Sequence, residues 1–208
     1  MSKVKIEGNA SGTGTLTISA PNTNTDRSLT LPDGAGEILL ANGDGSSLTG
    51  IATGNLNGAD CFRLSANFSG GNNTVINSNW ERVDTGTFGK IGTGLTESSG
   101  VFTFPDTGYW FIHFFSTAQN SNSDRKNGLG LSTTSDNGSN WVTVSKYQGY
   151  TNVNSEPHAG SQSHIVDITN TSTHKIRLLV NTSDTSTLYY GDNSVSYTGF
   201  TVIKLGDT

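Results

Sequence analysis

The chain has 208 residues, of which 32% are hydrophobic and 14% charged, while glycine alone takes 26 positions. A net charge of −5 and a pI near 5.2, without any run of Lys or Arg, argue against a nucleic-acid binder, which needs a basic stripe. No stretch approaches the roughly 18 apolar residues of a membrane span, so no membrane insertion is expected.

Residues 1–60 contain no Phe, Tyr or Trp. Short alternations stand there instead: Leu16 and Ile18, Leu29 and Leu31, Ile38 and Leu40. Each has strand length and is bounded by turn residues such as Pro21-Asn22 and Pro32-Asp33-Gly34. The first pair recurs thirteen residues later as the second. Sixty residues so poor in large side chains cannot offset the entropy of their own ordering. The segment is expected to be an arm completed by a partner or by copies of itself. The opening MSKVKIEGNASG lacks the apolar core of a secretory signal, so synthesis in a cytosol from Met1 is expected.

Residues 61–208 carry all of the 9 Phe, 6 Tyr and 3 Trp, in short bursts between turn clusters. Disordered chains lack such bursts. Strands are predicted at Cys61–Phe68, Trp80–Val83, Thr87–Ile91, Gly100–Phe104, Tyr109–Phe115 and Gly128–Leu131. Further strands are predicted at Trp141–Tyr147, His164–Ile168, Lys175–Val180, Thr187–Tyr190 and Gly199–Leu205. No segment shows helical periodicity with caps, and the fold class is all-β, a sandwich. Ile176, Leu178 and Val180 alternate as a core face, and so do Phe200 and Val202.

The strand at Tyr109–Phe115 departs from that pattern because both of its faces are apolar. Trp110, Ile112 and Phe114 form one face; Tyr109, Phe111 and Phe115, with His113 among them, form the other. An antiparallel strand ordinarily hides one face and wets the other. Two greasy faces call for two burial partners. One is the chain's own core, and the second is most simply another copy of the chain.

The order Gly-x-Phe-Thr-x-Pro-x-x-Gly-Tyr-Trp-Phe-Ile at 100–112, with Tyr197-Thr198-Gly199-Phe200-Thr201-Val202, resembles the complement and tumour-necrosis-factor jelly-roll superfamily. The resemblance covers residues 61–208. It implies a ten-stranded jelly roll packed as a homotrimer, with Tyr109, Phe111, His113 and Phe115 at the threefold axis. The collagen stalk of some members is absent.

The N-terminal region has a resemblance of its own. Gly12-Thr13-Gly14-Thr15-Leu16-Thr17-Ile18-Ser19-Ala20-Pro21 and Leu29-Thr30-Leu31-Pro32-Asp33-Gly34 resemble N-terminal parts of tailed-bacteriophage fibres. Asp44-Gly45-Ser46-Ser47-Leu48-Thr49-Gly50-Ile51 is similar to an element between fibre segments. Together these imply a virion protein, a head or tail fibre or a decoration protein. Residues 1–60 would anchor it to other virion proteins, and 61–208 would project as a knob toward a host-surface glycan or protein. A bacterial surface or secreted binding module of the same fold is the alternative. A fibre-borne polysaccharide depolymerase is the third reading, and it needs carboxylates clustered in a groove.

Catalytic signatures are absent: no GxSxG, no HExxH and no GxxxxGK[ST]. No cofactor is expected. His113, His158, His164 and His174 share no metal-ligand spacing. Cys61 stands alone, so no intrachain disulfide forms, and it reads as a small buried hydrophobe. Asp136-Asn137-Gly138-Ser139-Asn140 is similar to part of a calcium loop but lacks the downstream Glu, and turn chemistry accounts for it. The Asn-x-Ser/Thr triplets at Asn9, Asn67, Asn170 and Asn181 arise by chance in so Asn- and Thr-rich a chain. Candidate ligand contacts are Tyr147, Tyr150, His158, Tyr189 and Tyr190, at strand ends or loops, where aromatic faces stack on sugar rings.

Overall fold

A computed structural model describes residues 11–14, 22–26, 56–86, 89–120, 126–150, 155–182 and 185–208. The chain divides into two compact units, Met1–Ile51 and Ala52–Thr208. In the first, the backbone N–H of Thr25 donates to Thr23 Oγ1 at 3.1 Å. The predicted strands around Leu16, Leu29 and Ile38 lie outside the described residues.

The second unit is built of antiparallel strands. In chain order they are β1 (Ala59–Leu64), β2 (Phe68–Ser69), β3 (Trp80–Arg82), β4 (Thr96–Ser98), β5 (Val101–Thr103), β6 (Gly108–Gln119) and β7 (Lys126–Asn127). There follow β8 (Leu129–Thr134), β9 (Val142–Lys146), β10 (Gly149–Tyr150), β11 (Pro157–Ile168), β12 (Lys175–Val180), β13 (Leu188–Tyr189) and β14 (Gly199–Gly206). One sheet runs β2-β13-β6-β14-β1-β3, with β11 on the far side of β6. The second runs β4-β5-β12-β8-β9, and β7 pairs with β10 apart from both.

The two sheets face each other across an aromatic core. Phe62, Phe102 and Phe200 meet with ring centroids 4.7–5.6 Å apart. Trp80 closes on Phe102 at 5.2 Å and on Phe200 at 5.6 Å, both edge to face. These are the offsets that aromatic quadrupoles favour. The Trp80 indole N–H is satisfied by Ile76 O at 2.7 Å. Trp110, Ile112, Phe114, Ile176, Leu178, Val180, Phe200 and Val202 are all buried in this core.

Two glycines are required by the backbone. Ser99 and Gly100 both have positive φ, +51° and +78°, and they join Ser98 to its partner Val101 in a two-residue hairpin of the kind that needs this twist. Gly108 opens β6 at φ +135°, where a Cβ would lie 2.3 Å from Gly206 O.

Several boundaries differ from the expectation. The strand predicted over Cys61–Phe68 breaks after Leu64, and Phe68 belongs to β2. Of the strand predicted at Thr87–Ile91, residues 87 and 88 lie outside the described residues, and Ile91 forms only an isolated bridge to Ala59. β11 extends well upstream of His164, because its first half, PHAGSQS, pairs with β6 through the backbone without any apolar alternation to reveal it. β4 is a polar Thr-Glu-Ser strand and leaves no hydrophobic signal.

The turn after β8 is held by Asp136. Its carboxylate accepts the Asn140 backbone N–H at 2.9 Å, the Thr134 hydroxyl at 2.7 Å and the Asn140 side-chain amide at 2.6 Å. Those donors, the Asn140 backbone N–H foremost, hold its pKa down at about 2. A carboxyl whose pKa falls on folding stabilises the fold above its unfolded value of about 3.9, and that contribution is lost as pH falls through the folded pKa. A carbon-detected NMR titration should therefore place the Asp136 midpoint near pH 2, and Asp136→Asn should remove that step from the acid limb of the stability curve. In the core, Phe102→Ala should cost about 3–5 kcal/mol in urea denaturation, the usual penalty for an emptied aromatic site.

Candidate self-association face

Alternation along β6 sorts its side chains cleanly. Trp110, Ile112 and Phe114 point into the core. Tyr109, Phe111, His113 and Phe115 point out of the sheet; Tyr109 is 45% exposed and the other three are half-buried. Directly opposed residues of antiparallel strands share a face, so the register extends this outer surface across the sheet. Phe111 stands between Ile203 of β14 and Ile165 of β11. Ile203 faces Ala59 of β1, and Ala59 faces Ile91.

The result is one uninterrupted apolar row, Ile91–Ala59–Ile203–Phe111–Ile165, with its ends open to solvent: Ile91 is 40% and Ile165 53% exposed. Tyr109 and exposed Leu205 flank the row on one side. On the other, Cys61, Thr201, His113 and Ser163 stand in a second row. That second row is internally bonded. His113 Nδ1 is hydrogen-bonded to Ser163 Oγ at 3.0 Å, and the Thr201 hydroxyl donates to Cys61 Sγ at 3.4 Å. Burial pushes the Cys61 thiol above its ordinary pKa, so it is not an activated nucleophile.

A polar device closes the neighbouring part of the same surface. Arg63 points outward from β1 and is nevertheless 1% exposed. Its guanidinium donates to Glu81 at 3.2 Å, to Asp84 at 2.9 Å, to Thr85 at 2.9 Å and to Asn193 O. The sheet's outer surface thus has a polar portion covered by its own loops and an apolar portion left open. Each half-protected side chain of the open row stands to gain on the order of 1 kcal/mol on being covered.

The tyrosines expected at a ligand surface are placed differently. Tyr189 is fully buried, with its hydroxyl donating to Gly128 O at 2.8 Å and its pKa raised by burial. It belongs to the core, because its hydroxyl finds a backbone acceptor there, and it cannot contact a ligand. Tyr147 is half-buried, 5.9 Å from Phe114, with its hydroxyl 2.6 Å from Ser116 Oγ. Tyr190 donates to Gln119 and packs edge-on against Tyr197 at 6.1 Å. His158 is half-buried over the bare Cα of Gly149. Tyr150 alone of this set presents most of its ring to solvent, at 64%.

What sequence reasoning missed is the width of the open face. The alternation within β6 exposed Phe111, but nothing local to Ile91, Ala59 or Ile165 announces that they stand in register beside it.

No family model matches this sequence, and no curated protein matches it. Solved structures do match its fold. The crystal structure of murine APRIL at pH 8.0 aligns with a TM-score of 0.50 at 12% identity, covering 71% of this chain and 98% of that one. The structure of Eiger TNF from S. frugiperda aligns with a TM-score of 0.53 at 12% identity, covering 72% and 93%. At such identity the likeness concerns the fold alone, and it makes residues of the second unit a TNF-like jelly-roll sandwich.

Proposed function

We propose that this chain is a non-enzymatic structural and binding protein of a tailed-phage virion, assembled as a homotrimer in the host cytoplasm. Residues 1–60 anchor it to another virion component, and residues 61–208 project as a knob, on a head or tail fibre or as a decoration. The observation that carries the assembly is the open row Ile91–Ala59–Ile203–Phe111–Ile165. Apolar side chains in one continuous strip on a protein otherwise rich in Ser, Thr, Asn and Gly mark a contact surface. The threefold count follows from the resemblance of residues 100–112 to the complement and tumour-necrosis-factor superfamily. The virion setting follows from the fibre-like motifs at 12–21, 29–34 and 44–51.

Light scattering coupled to size exclusion tests the assembly. The full chain should run at three times its 21.9 kDa mass; a parent chain found as a monomer overturns the proposal. Phe111→Asp places a charge in the middle of the row and should yield a folded monomer. In that variant Cys61, on the adjacent row, should be alkylated by iodoacetamide faster than in the parent. An antibody to the full chain should label purified particles of the phage that encodes it, and its absence from them removes the virion setting.

A further inference from the structure

His113 stands in the middle of the open face. Its side chain points outward from β6, half-buried, between Thr201 of β14 and Ser163 of β11. Along its own strand Phe111 and Phe115 flank it, the latter stacked at 6.2 Å. The diagonal positions on both partner strands are isoleucine, glycine and serine. No acidic or basic side chain touches the ring from any of the three strands.

The charged groups of this face stand farther off. Arg63, with Glu81 and Asp84 bound to it, is opposite Gly199, two strands away and one row along. Asp167 is opposite Tyr109, one strand away and two rows along. With ~4.8 Å between strands and ~6.8 Å between rows, both lie beyond about 10 Å, where water and salt screen them from the ring. Cys61 ends the row of His113, and burial pushes its thiol up, so it supplies no thiolate. His158 and His164 stand opposite Ala118 and Ile112, on the inner side of the sheet.

The ring has two nitrogens and one partner. Nδ1 lies 3.0 Å from Ser163 Oγ, a hydroxyl able to accept from Nδ1–H in the uncharged and in the charged ring alike. Nε2 meets no acceptor among the described residues. While the face is open, water serves a protonated Nε2–H. A second copy laid over Phe111 and the row beside it removes that water. An imidazolium so desolvated, with no carboxylate beside it, is strongly disfavoured, whereas the uncharged ring turns only a lone pair to the covering surface. Imidazole is also the side chain whose charge changes between about pH 8 and 5.

We propose that His113 makes self-association of this chain pH-sensitive: the assembly holds with an uncharged ring and loosens as the ring takes up a proton. The inference rests on the reading of this face as the contact between copies and names its regulation. Covering the ring favours the form without the proton, so the assembled state binds fewer protons than the separated chains. Association is then strongest toward alkaline pH and is lost as pH falls. Overall charge works the other way. A chain of net charge −5 repels its copies less as pH approaches the pI near 5.2, so loosening in acid is not a general charge effect.

Sedimentation velocity of the full chain at about pH 8 and about pH 6, at one ionic strength, tests it. The dissociation constant should rise about tenfold or more at the lower pH and recover on return. His113→Gln keeps a donor for Ser163 and takes up no proton, and it should assemble alike at both values with unchanged circular dichroism. Dilution calorimetry of the parent near pH 6, in two buffers of different ionisation enthalpy, needs no variant: dissociation should take up about one proton or more per assembly. A dissociation constant indifferent to pH, an assembly tighter in acid, a pH step that persists in His113→Gln, or dissociation without proton uptake overturns the switch. An assembly indifferent to pH leaves the contact face standing and removes only its regulation, whereas a parent chain monomeric at both values removes the face and the regulation together.

Discussion

The fold depends on the hydrogen bonding of β6. All of its residues, Gly108 to Gln119, pair with β11 on one side, while β14 and β13 share its other side. A strand so enclosed has no edge of its own, and Thr117, between β14 and β13, exchanges backbone hydrogen bonds with Tyr197 and Tyr190 instead. The pairing also fixes which side chains point inward. A slip of one residue would exchange Trp110, Ile112 and Phe114 for Tyr109, Phe111 and His113. Both sets are bulky, so apolar content alone does not decide the register. The choice is made by shape and polarity: the wholly buried set contains no imidazole, and its single N–H, on Trp110, reaches Asp106 O at 3.3 Å.

The same sheet shows two ways of treating an outer surface. Beside β3, Arg63 on the outer surface and Asp60 on the inner one are buried charges, each matched by several partners. Asp60 accepts from the Arg82 guanidinium at 3.0 Å and from Leu95 N–H at 2.8 Å. Buried ions are tolerated only when so fully met, and removal of one partner leaves an uncompensated charge that costs about 3–5 kcal/mol. The Arg63 network ties the loops around 84 and 193 onto the sheet and covers that part of its outer surface. Among the described residues no loop arrives at Phe111. The five residues of the apolar row span four interstrand gaps, about 19 Å at ~4.8 Å each, which is a length that a neighbouring protein can cover and a small ligand cannot.

Much of this was legible in the sequence, for reasons that differ by residue. Ile176, Leu178 and Val180 announce a half-buried strand because solvent wets their alternate neighbours. The two-faced run at Tyr109–Phe115 announces a second contact because its composition violates that rule. β11 was half hidden. Its register with β6 is set by a partner some fifty residues away, and PHAGSQS carries no periodicity. A cavity between β9, β11 and the turn after β8 was hidden altogether, since its walls come from separate strands and a turn. Tyr189 misled for a related reason: a tyrosine near a strand end reads as exposed until the sheet above it supplies Gly128 O for its hydroxyl.

β11 finally shows how one edge strand serves two surfaces. Ile165 points outward beside Phe111 and belongs to the apolar row, while the adjacent His164 points inward and borders that cavity. Successive residues of a strand face opposite ways, so Ile165 and Asp167 share the outer face with Phe111 and Tyr109, while His164 and Val166 share the inner one with Ile112 and Trp110. Covering the row buries Ile165 without occupying the position opposite Ile112. In the proposed knob, the pleat of one strand therefore gives Ile165 to assembly and keeps His164 on the opposite side of the backbone.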